Sequence, residues 1–244
     1  MTVGNPDVDD PTIAGLVHLS TCDWPGHLVA TAFLQGCPWQ CTYCQNPDLI
    51  DPRTPGALGW NEVQNFLTRR RGLLDGLVFS GGEPTRQPGL APAAQWVREQ
   101  GFGTGLHTAG AYPARLATVL PLLDWVGLDI KALPDDYPRI TGVPASADRA
   151  FTSLRLVVDS GVDHEIRITV DPTVHTADHV HALVQHVRAA GAGAIVLQEA
   201  RSTGTRPGYA DALGGRGLRD VVDVIPEGVS VRTSTGQDRM SAHR

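Results

Sequence analysis

Gly36-Cys37-Pro38-Trp39-Gln40-Cys41-Thr42-Tyr43-Cys44 places three of the chain's four cysteines within eight residues, spaced C-x3-C-x2-C. Cysteine thiolates are the usual ligands of iron–sulfur clusters, and three this close in sequence can wrap one side of a cuboidal [4Fe–4S] cluster. A fully protein-ligated cubane takes four, so Cys37, Cys41 and Cys44 would leave one iron open to another ligand. Three readings compete with this one. Structural zinc takes four ligands, typically in two pairs, and no second pair follows at that spacing. A disulfide would join only two of the three, and the chain shows no secretory signal pattern. Buried thiols brought together by chance would need no chemistry at all. The cluster accounts for the spacing best.

The flanking residues say how the loop is carried. Residues 28–34 form an apolar run of strand length, as a parallel strand buried on both faces would. The cysteines therefore begin at the C-terminal end of a strand, where α/β barrels hold their chemistry. Downstream the pattern alternates. A helix carrying Trp60, Val63, Phe66 and Leu67 on one face, capped by Asn61 or a neighbour, is followed by a strand at 77–80. Helices at 91–100, 113–122, 148–160, 177–190 and 218–224 then alternate with strands at 103–107, 125–130, 165–170, 194–198 and 230–233. Six βα units predict an α/β fold, a partial (β/α)6 barrel with parallel strands inside and helices outside. Ahead of it stand a short strand at 13–19 and a turn at Asp23-Trp24-Pro25-Gly26. Cys22 reads as a small buried hydrophobe. One domain, 12–234, is expected between disordered tails at 1–11 and 235–244.

Further candidates sit at strand ends. Gly81-Gly82-Glu83-Pro84 ends the second barrel strand, and paired glycines there let a ligand approach the backbone, leaving N–H and C=O groups to bond it. Asp129 and Lys131 end the fourth strand and alternate onto one face, opposite Ile130. The chain has 19 arginines and this single lysine, which hints at a position needing a compact ammonium. Arg167, flanked by isoleucines within a strand, points either inward at an anion or outward at a helix carboxylate. Asn46, after Cys44, is a polar partner of the loop or a turn former before Pro47. His175, His179, His181 and His186 read as a solvated face.

The C-x3-C-x-aromatic-C pattern, with Tyr43 as the aromatic, resembles the signature of the radical S-adenosylmethionine (SAM) superfamily. With Asp-x-Pro-Gly, Phe-Leu-Gln-Gly, Gln45-Asn46-Pro47, Gly-Gly-Glu-Pro-Thr and Leu-Asp-Ile-Lys, it resembles the activating branch for glycyl radical enzymes. The nearest resemblance is to anaerobic ribonucleoside-triphosphate reductase activating proteins, over roughly residues 15–200. It implies that SAM chelates the open iron, that the reduced cluster cleaves it, and that a 5′-deoxyadenosyl radical takes hydrogen from a glycine of a large partner. It also implies that the backbone of Gly81, Gly82 and Glu83 holds the SAM ammonium and that Asn46, Asp129 and Lys131 contact the cofactor; an inward Arg167 would face the SAM carboxylate. His107 departs from relatives that carry Asp there. A partner loop would enter near 45–57 and 108–113, and flavodoxin or ferredoxin would donate the electron. Activation of another glycyl radical enzyme, or radical chemistry on a small molecule, is the alternative within this class. An iron–sulfur electron carrier or sensor is the alternative outside it.

Composition narrows the classes. A formal charge of −6 argues against nucleic acid as the main partner. No apolar run approaches the length of a membrane span. A reducing, cytoplasmic setting is expected, since exposed thiolates survive there.

Overall fold

The computed structural model describes residues 10–233 and 236–238. Most of the two expected tails lies outside the described residues. Two parts do not: Pro11 is buried, and 236–238 form a strand, so the domain reaches beyond both boundaries drawn at 12 and 234.

The chain runs β1 (Ile13–Ser20), β2 (Val29–Leu34), α1 (Trp60–Thr68), β3 (Gly76–Gly81), α2 (Leu90–Glu99), β4 (Gly103–Thr108), α3 (Pro113–Val119) and β5 (Trp125–Asp129). It continues through α4 (Tyr137–Thr141), α5 (Ser146–Ser160), β6 (Asp163–Val170), α6 (Ala177–Ala189), β7 (Ile195–Glu199), α7 (Tyr209–Leu213), β8 (Val229–Thr233) and β9 (Gly236–Asp238). The strands form one sheet in sequence order. β2 to β8 pair in parallel, each with the next, so every crossover carries the chain the same way along the sheet. β1 and β9 pair antiparallel at the two ends, leaving an open barrel between them. This is the partial barrel expected, with the strand expected at 13–19 on one edge and a further strand, β9, on the other.

Helix register follows the apolar stripes. Trp60, Val63, Phe66 and Leu67 of α1 are all buried, as are Val180, Leu183, Val184 and Val187 of α6. The α1 cap is Gly59 rather than Asn61: its N–H donates to the Glu62 carboxylate at 2.8 Å. The helix expected at 218–224 is only a single 3-10 turn at Leu218–Asp220. Leu218 and Val222 are buried there but Val224 is exposed, so no continuous stripe holds a longer helix to the sheet. The five-residue helices α4 and α7 were too short to show a period.

The turn at Asp23-Trp24-Pro25-Gly26 does more than reverse the chain. Trp24 lies with Val29, Val78 and Trp125 in a small core of its own. Trp24 and Trp125 stack at 5.9 Å between ring centroids. Val29 and Trp125 open their strands, so this cluster plugs the N-terminal end of the barrel. Glycine makes the room: a Cβ on Gly76, Gly103 or Gly105 would stand 3.0–3.2 Å from the Trp24 ring. Removing a buried tryptophan of this kind costs roughly 3–5 kcal/mol. Trp24→Ala is therefore expected to lower the urea midpoint by that equivalent, and a midpoint within error of wild type would show that the plug bears no load.

Candidate active site

The cysteine loop is pinned from three sides by main-chain hydrogen bonds. Gly36 N–H and Cys37 N–H donate to the carbonyls of Leu49 and Ile50, and Gln40 N–H and Thr42 N–H donate to Thr141 and Ile140 at the end of α4. From β3, Gly82 N–H donates to Leu34 O and Glu83 N–H to Gly36 O, each at 2.9 Å. The two glycines are required by this last contact. A Cβ on Gly82 would lie 2.5 Å from Gly36 O, and one on Gly81, where φ is +113°, would strike the Leu34 backbone. The reading in which the glycines admit a ligand is thus corrected in part: what approaches closely is the cysteine loop, and the amides of Gly82 and Glu83 are already engaged. Carbonyls are what this turn has left for a ligand, a match for an ammonium. The Glu83 carboxylate, fully buried, accepts from Thr85 N–H, the Thr85 and Thr108 hydroxyls and Ala109 N–H. It locks the end of β3 to the end of β4 and does not face the cavity.

Above these turns opens a cavity of about 660 Å³. Cys37, Cys41, Cys44, Tyr43 and Asn46 line one side, with Gly81, Gly82, Asp129 and Lys131 beside them and Arg167 further along the sheet. Asp129 and Lys131 do share the inner face, while Ile130 is buried outside it, and Lys131 Nζ stands 3.3 Å from an Asp129 oxygen. The ammonium also lies 5.5 Å over the Tyr43 ring. Burial, the largest single influence, opposes its charge, yet Tyr43, Asp129, Cys41 and Tyr137 together keep its pKa above the ordinary lysine value. Lys131 is held by its backbone as well: its N–H donates to Tyr137 OH, and its carbonyl accepts from His175 Nε2 at 3.0 Å. His175 is therefore a buried strut, a correction to the solvated face expected of it; of the other three, His179 and His181 are half-buried and His186 is exposed.

Arg167 points inward, and its carboxylate partner sits two residues away on the same strand: Nε donates to Glu165 at 2.7 Å. Its guanidinium stands 5.2 Å from the Trp125 ring centroid. His107 packs edge-on against the same ring, with Nε2 2.6 Å from Asp23 O and Nδ1 3.3 Å from Ser80 Oγ. Burial and the neighbouring Arg167 push its pKa down to about 3, so it is a neutral Nε2–H donor to the Asp23 carbonyl. Cys22 is exposed and lines the cavity wall, with Sγ 3.4 Å from Ser20 Oγ, so it is no buried hydrophobe. Sequence reasoning also passed over Gln198 and Arg232, which line the cavity from β7 and β8. A charged residue inside an apolar strand was the available signal, the one that had marked Arg167.

The three thiols suit a cluster. Burial pushes Cys37 up to about 12 and raises Cys41, so both hold protons until a metal displaces them. Among the described residues no three His, Cys, Asp or Glu side chains converge on one point as they would for a single ion; a cubane takes each thiolate on a different iron. The loop also buries Trp39 Nε1, Thr42 Oγ1 and Tyr43 OH with no protein partner, polar groups that a further occupant can satisfy.

Residues 31–185, well over half the chain, match the radical SAM superfamily. A cysteine triad at the mouth of a partial parallel barrel is the site of such an enzyme, and the chain belongs to this superfamily, whose members use a [4Fe–4S] cluster and SAM. In sequence it is 34% identical over 173 residues to the pyruvate formate-lyase-activating enzyme of Clostridium pasteurianum, covering 66% of this chain and 71% of that one. It is 27% identical over 186 residues to a protein of Methanocaldococcus jannaschii named as a glycyl-radical enzyme activating enzyme, covering 72% and 75%. Its fold resembles QueE from Escherichia coli, with a TM-score of 0.51 at 15% identity over 92% of this chain and 94% of that one. It also resembles SuiB of Streptococcus suis bound to S-adenosylmethionine, with a TM-score of 0.58 at 16% identity over 72% of this chain and 40% of SuiB's length. No helix of the described residues is long and apolar enough to cross a membrane.

Two outcomes follow from the geometry. Gly82→Val should force the β3 turn and the cysteine loop apart, lowering iron uptake on anaerobic reconstitution; full iron with SAM binding lost would instead place the glycine against the ligand. His107 has its folded pKa depressed from 6.5 to about 3, so between those values the unfolded chain binds the extra proton and stability falls as pH falls. His107→Asn should flatten that loss, read as urea midpoints at pH 7 and pH 4.5; parallel curves for the two proteins would refute the assignment.

Proposed function

We propose that the protein is an activating enzyme for a glycyl radical enzyme, with anaerobic ribonucleoside-triphosphate reductase as its partner and flavodoxin or ferredoxin as electron donor. The observation that carries the reading is one cavity in which the cysteine triad, Asp129 and Lys131 stand together with space left toward β6, β7 and β8. The names of its sequence relatives support the activating role.

When bound, the cluster and SAM supply a 5′-deoxyadenosyl radical able to take a hydrogen atom from a glycine Cα. The chain's residues do the rest. Cys37, Cys41 and Cys44 would hold the cluster, three thiolates leaving a position on it for SAM. Lys131, kept charged by Asp129 and Tyr43, offers a cation to the SAM carboxylate, with Asp129 opposing it as partner for the ammonium. The Gly81 and Gly82 carbonyls and Asn46 complete the cradle. Arg167 gives a second cation across the cavity. Gln45, Asn46, Thr108 and Ala109 form the rim through which a glycine loop enters.

The test is anaerobic reconstitution with SAM and a chemical reductant. Wild type and Cys22→Ala should release 5′-deoxyadenosine, and Cys37→Ala, Cys41→Ala and Cys44→Ala should lose both iron and product. With the reductase added, wild type should raise a glycyl radical signal by electron paramagnetic resonance. Product without any radical on the reductase would remove that partner and keep the SAM chemistry; iron retained in all four cysteine variants would remove both.

A further inference from the structure

Three strands on the far side of the sheet from the cysteine loop build a cationic wall into the cavity. Glu165, Arg167 and Thr169 alternate along β6, so all three face inward. Thr169 pairs with Gln198 on β7, and Gln198 with Arg232 on β8, which sets these side chains in one row across the sheet. Arg232 donates to Gln198 Oε1 at 2.8 Å and to both Glu165 oxygens at 3.2 and 3.3 Å. Arg167 donates to the same Glu165 through Nε at 2.7 Å.

One carboxylate thus serves two guanidiniums, and all three side chains are largely buried, with 8–14% exposed. A buried charge left unmatched is costly, and the cost is relieved by a counter-charge within hydrogen-bond reach. The other acids of the cavity have duties elsewhere. Asp23 accepts from the Thr31 hydroxyl at 2.6 Å, Asp129 is paired with Lys131, and Glu199 accepts from Leu218 N–H. Arg167 also reaches the Asp23 carbonyl at 3.5 Å, and the two forks still carry more N–H donors than the acceptors among the described residues take up. Planar forks of this kind match a carboxylate.

We propose that Arg232, with Gln198 and Arg167, forms a carboxylate-binding subsite for the molecule that reacts, distinct from the cradle of Asp129, Lys131 and the Gly-Gly turn. The carboxylate comes from an acidic side chain beside the target glycine of a peptide substrate, or from a small carboxylic acid. The first source rests on the activating function proposed above. Arg232 is a binding residue that sets specificity, and the row Thr169–Gln198–Arg232 fixes the depth at which the group is held.

The probes are two glycine-centred pentapeptides that differ only in Asp or Asn beside the glycine, together with succinate and succinamide. Their binding is measured by calorimetry on the anaerobically reconstituted full chain with SAM present. Wild type should prefer the acid member of at least one pair by about tenfold, equivalent to roughly 1.4 kcal/mol. Arg232→Gln should abolish that preference while leaving SAM affinity unchanged, and Arg232→Lys should restore part of it. A preference confined to succinate, with neither peptide bound, supports the subsite and removes the peptide substrate. Equal binding within both pairs by wild type, or a preference that survives in Arg232→Gln, would overturn the subsite. So would a loss of SAM affinity in Arg232→Gln as large as the loss for the acid probe.

Discussion

Two main-chain hydrogen bonds, from Gly82 to Leu34 and from Glu83 to Gly36, tie the end of β3 to the start of the cysteine loop, and the site's geometry depends on them. They form only because neither residue 81 nor residue 82 has a Cβ in the way. Through them the loop takes its register from the sheet rather than from its own turn preferences. Glu83 extends the same constraint to β4, since it accepts from Thr108 and Ala109 at that strand's end. The ends of β2, β3 and β4 therefore behave as one rigid rim. That rim gives three thiols a fixed relation to whatever occupies the cavity.

The charges inside the cavity are graded along the sheet. On the cysteine side a single ammonium is neutralised by one carboxylate, with an aromatic ring beneath it. In the middle His107 stays uncharged, fixed by the Asp23 carbonyl and the Trp125 edge. On the far side two guanidiniums share one carboxylate. A preorganised arrangement of this kind costs little to reorganise when an anionic group arrives. The floor beneath it is the Trp24 plug, which blocks the N-terminal end of the barrel and turns a tube into a pocket.

Much of the fold was legible because its signals are local. The parallel strands show as short runs separated by helical stripes, and the stripes of α1 and α6 are buried as their periods require. The cysteine triad and the D-x-K pair are short-range patterns whose partners lie within a few residues. The short helices α4 and α7 escaped because one turn of helix carries no period. The 3-10 turn at Leu218–Asp220 was overextended because an apolar pattern says nothing about which residues find a surface to bury against.

What the sequence determined by itself was the chemistry of the loop and the order of the units, since spacing and periodicity are properties of neighbours along the chain. What only the tertiary structure decided was how distant side chains are used. It turned Trp24 from a turn residue into a plug and His175 from a surface histidine into a strut beneath Lys131, and it gave the Gly-Gly pair a contact between two loops in addition to its place in the cavity wall. It also brought Arg232 to Glu165, 67 residues away, across two strand pairings. Each of these rests on sheet register and close packing, which act between residues far apart in sequence and leave no mark in either stretch alone.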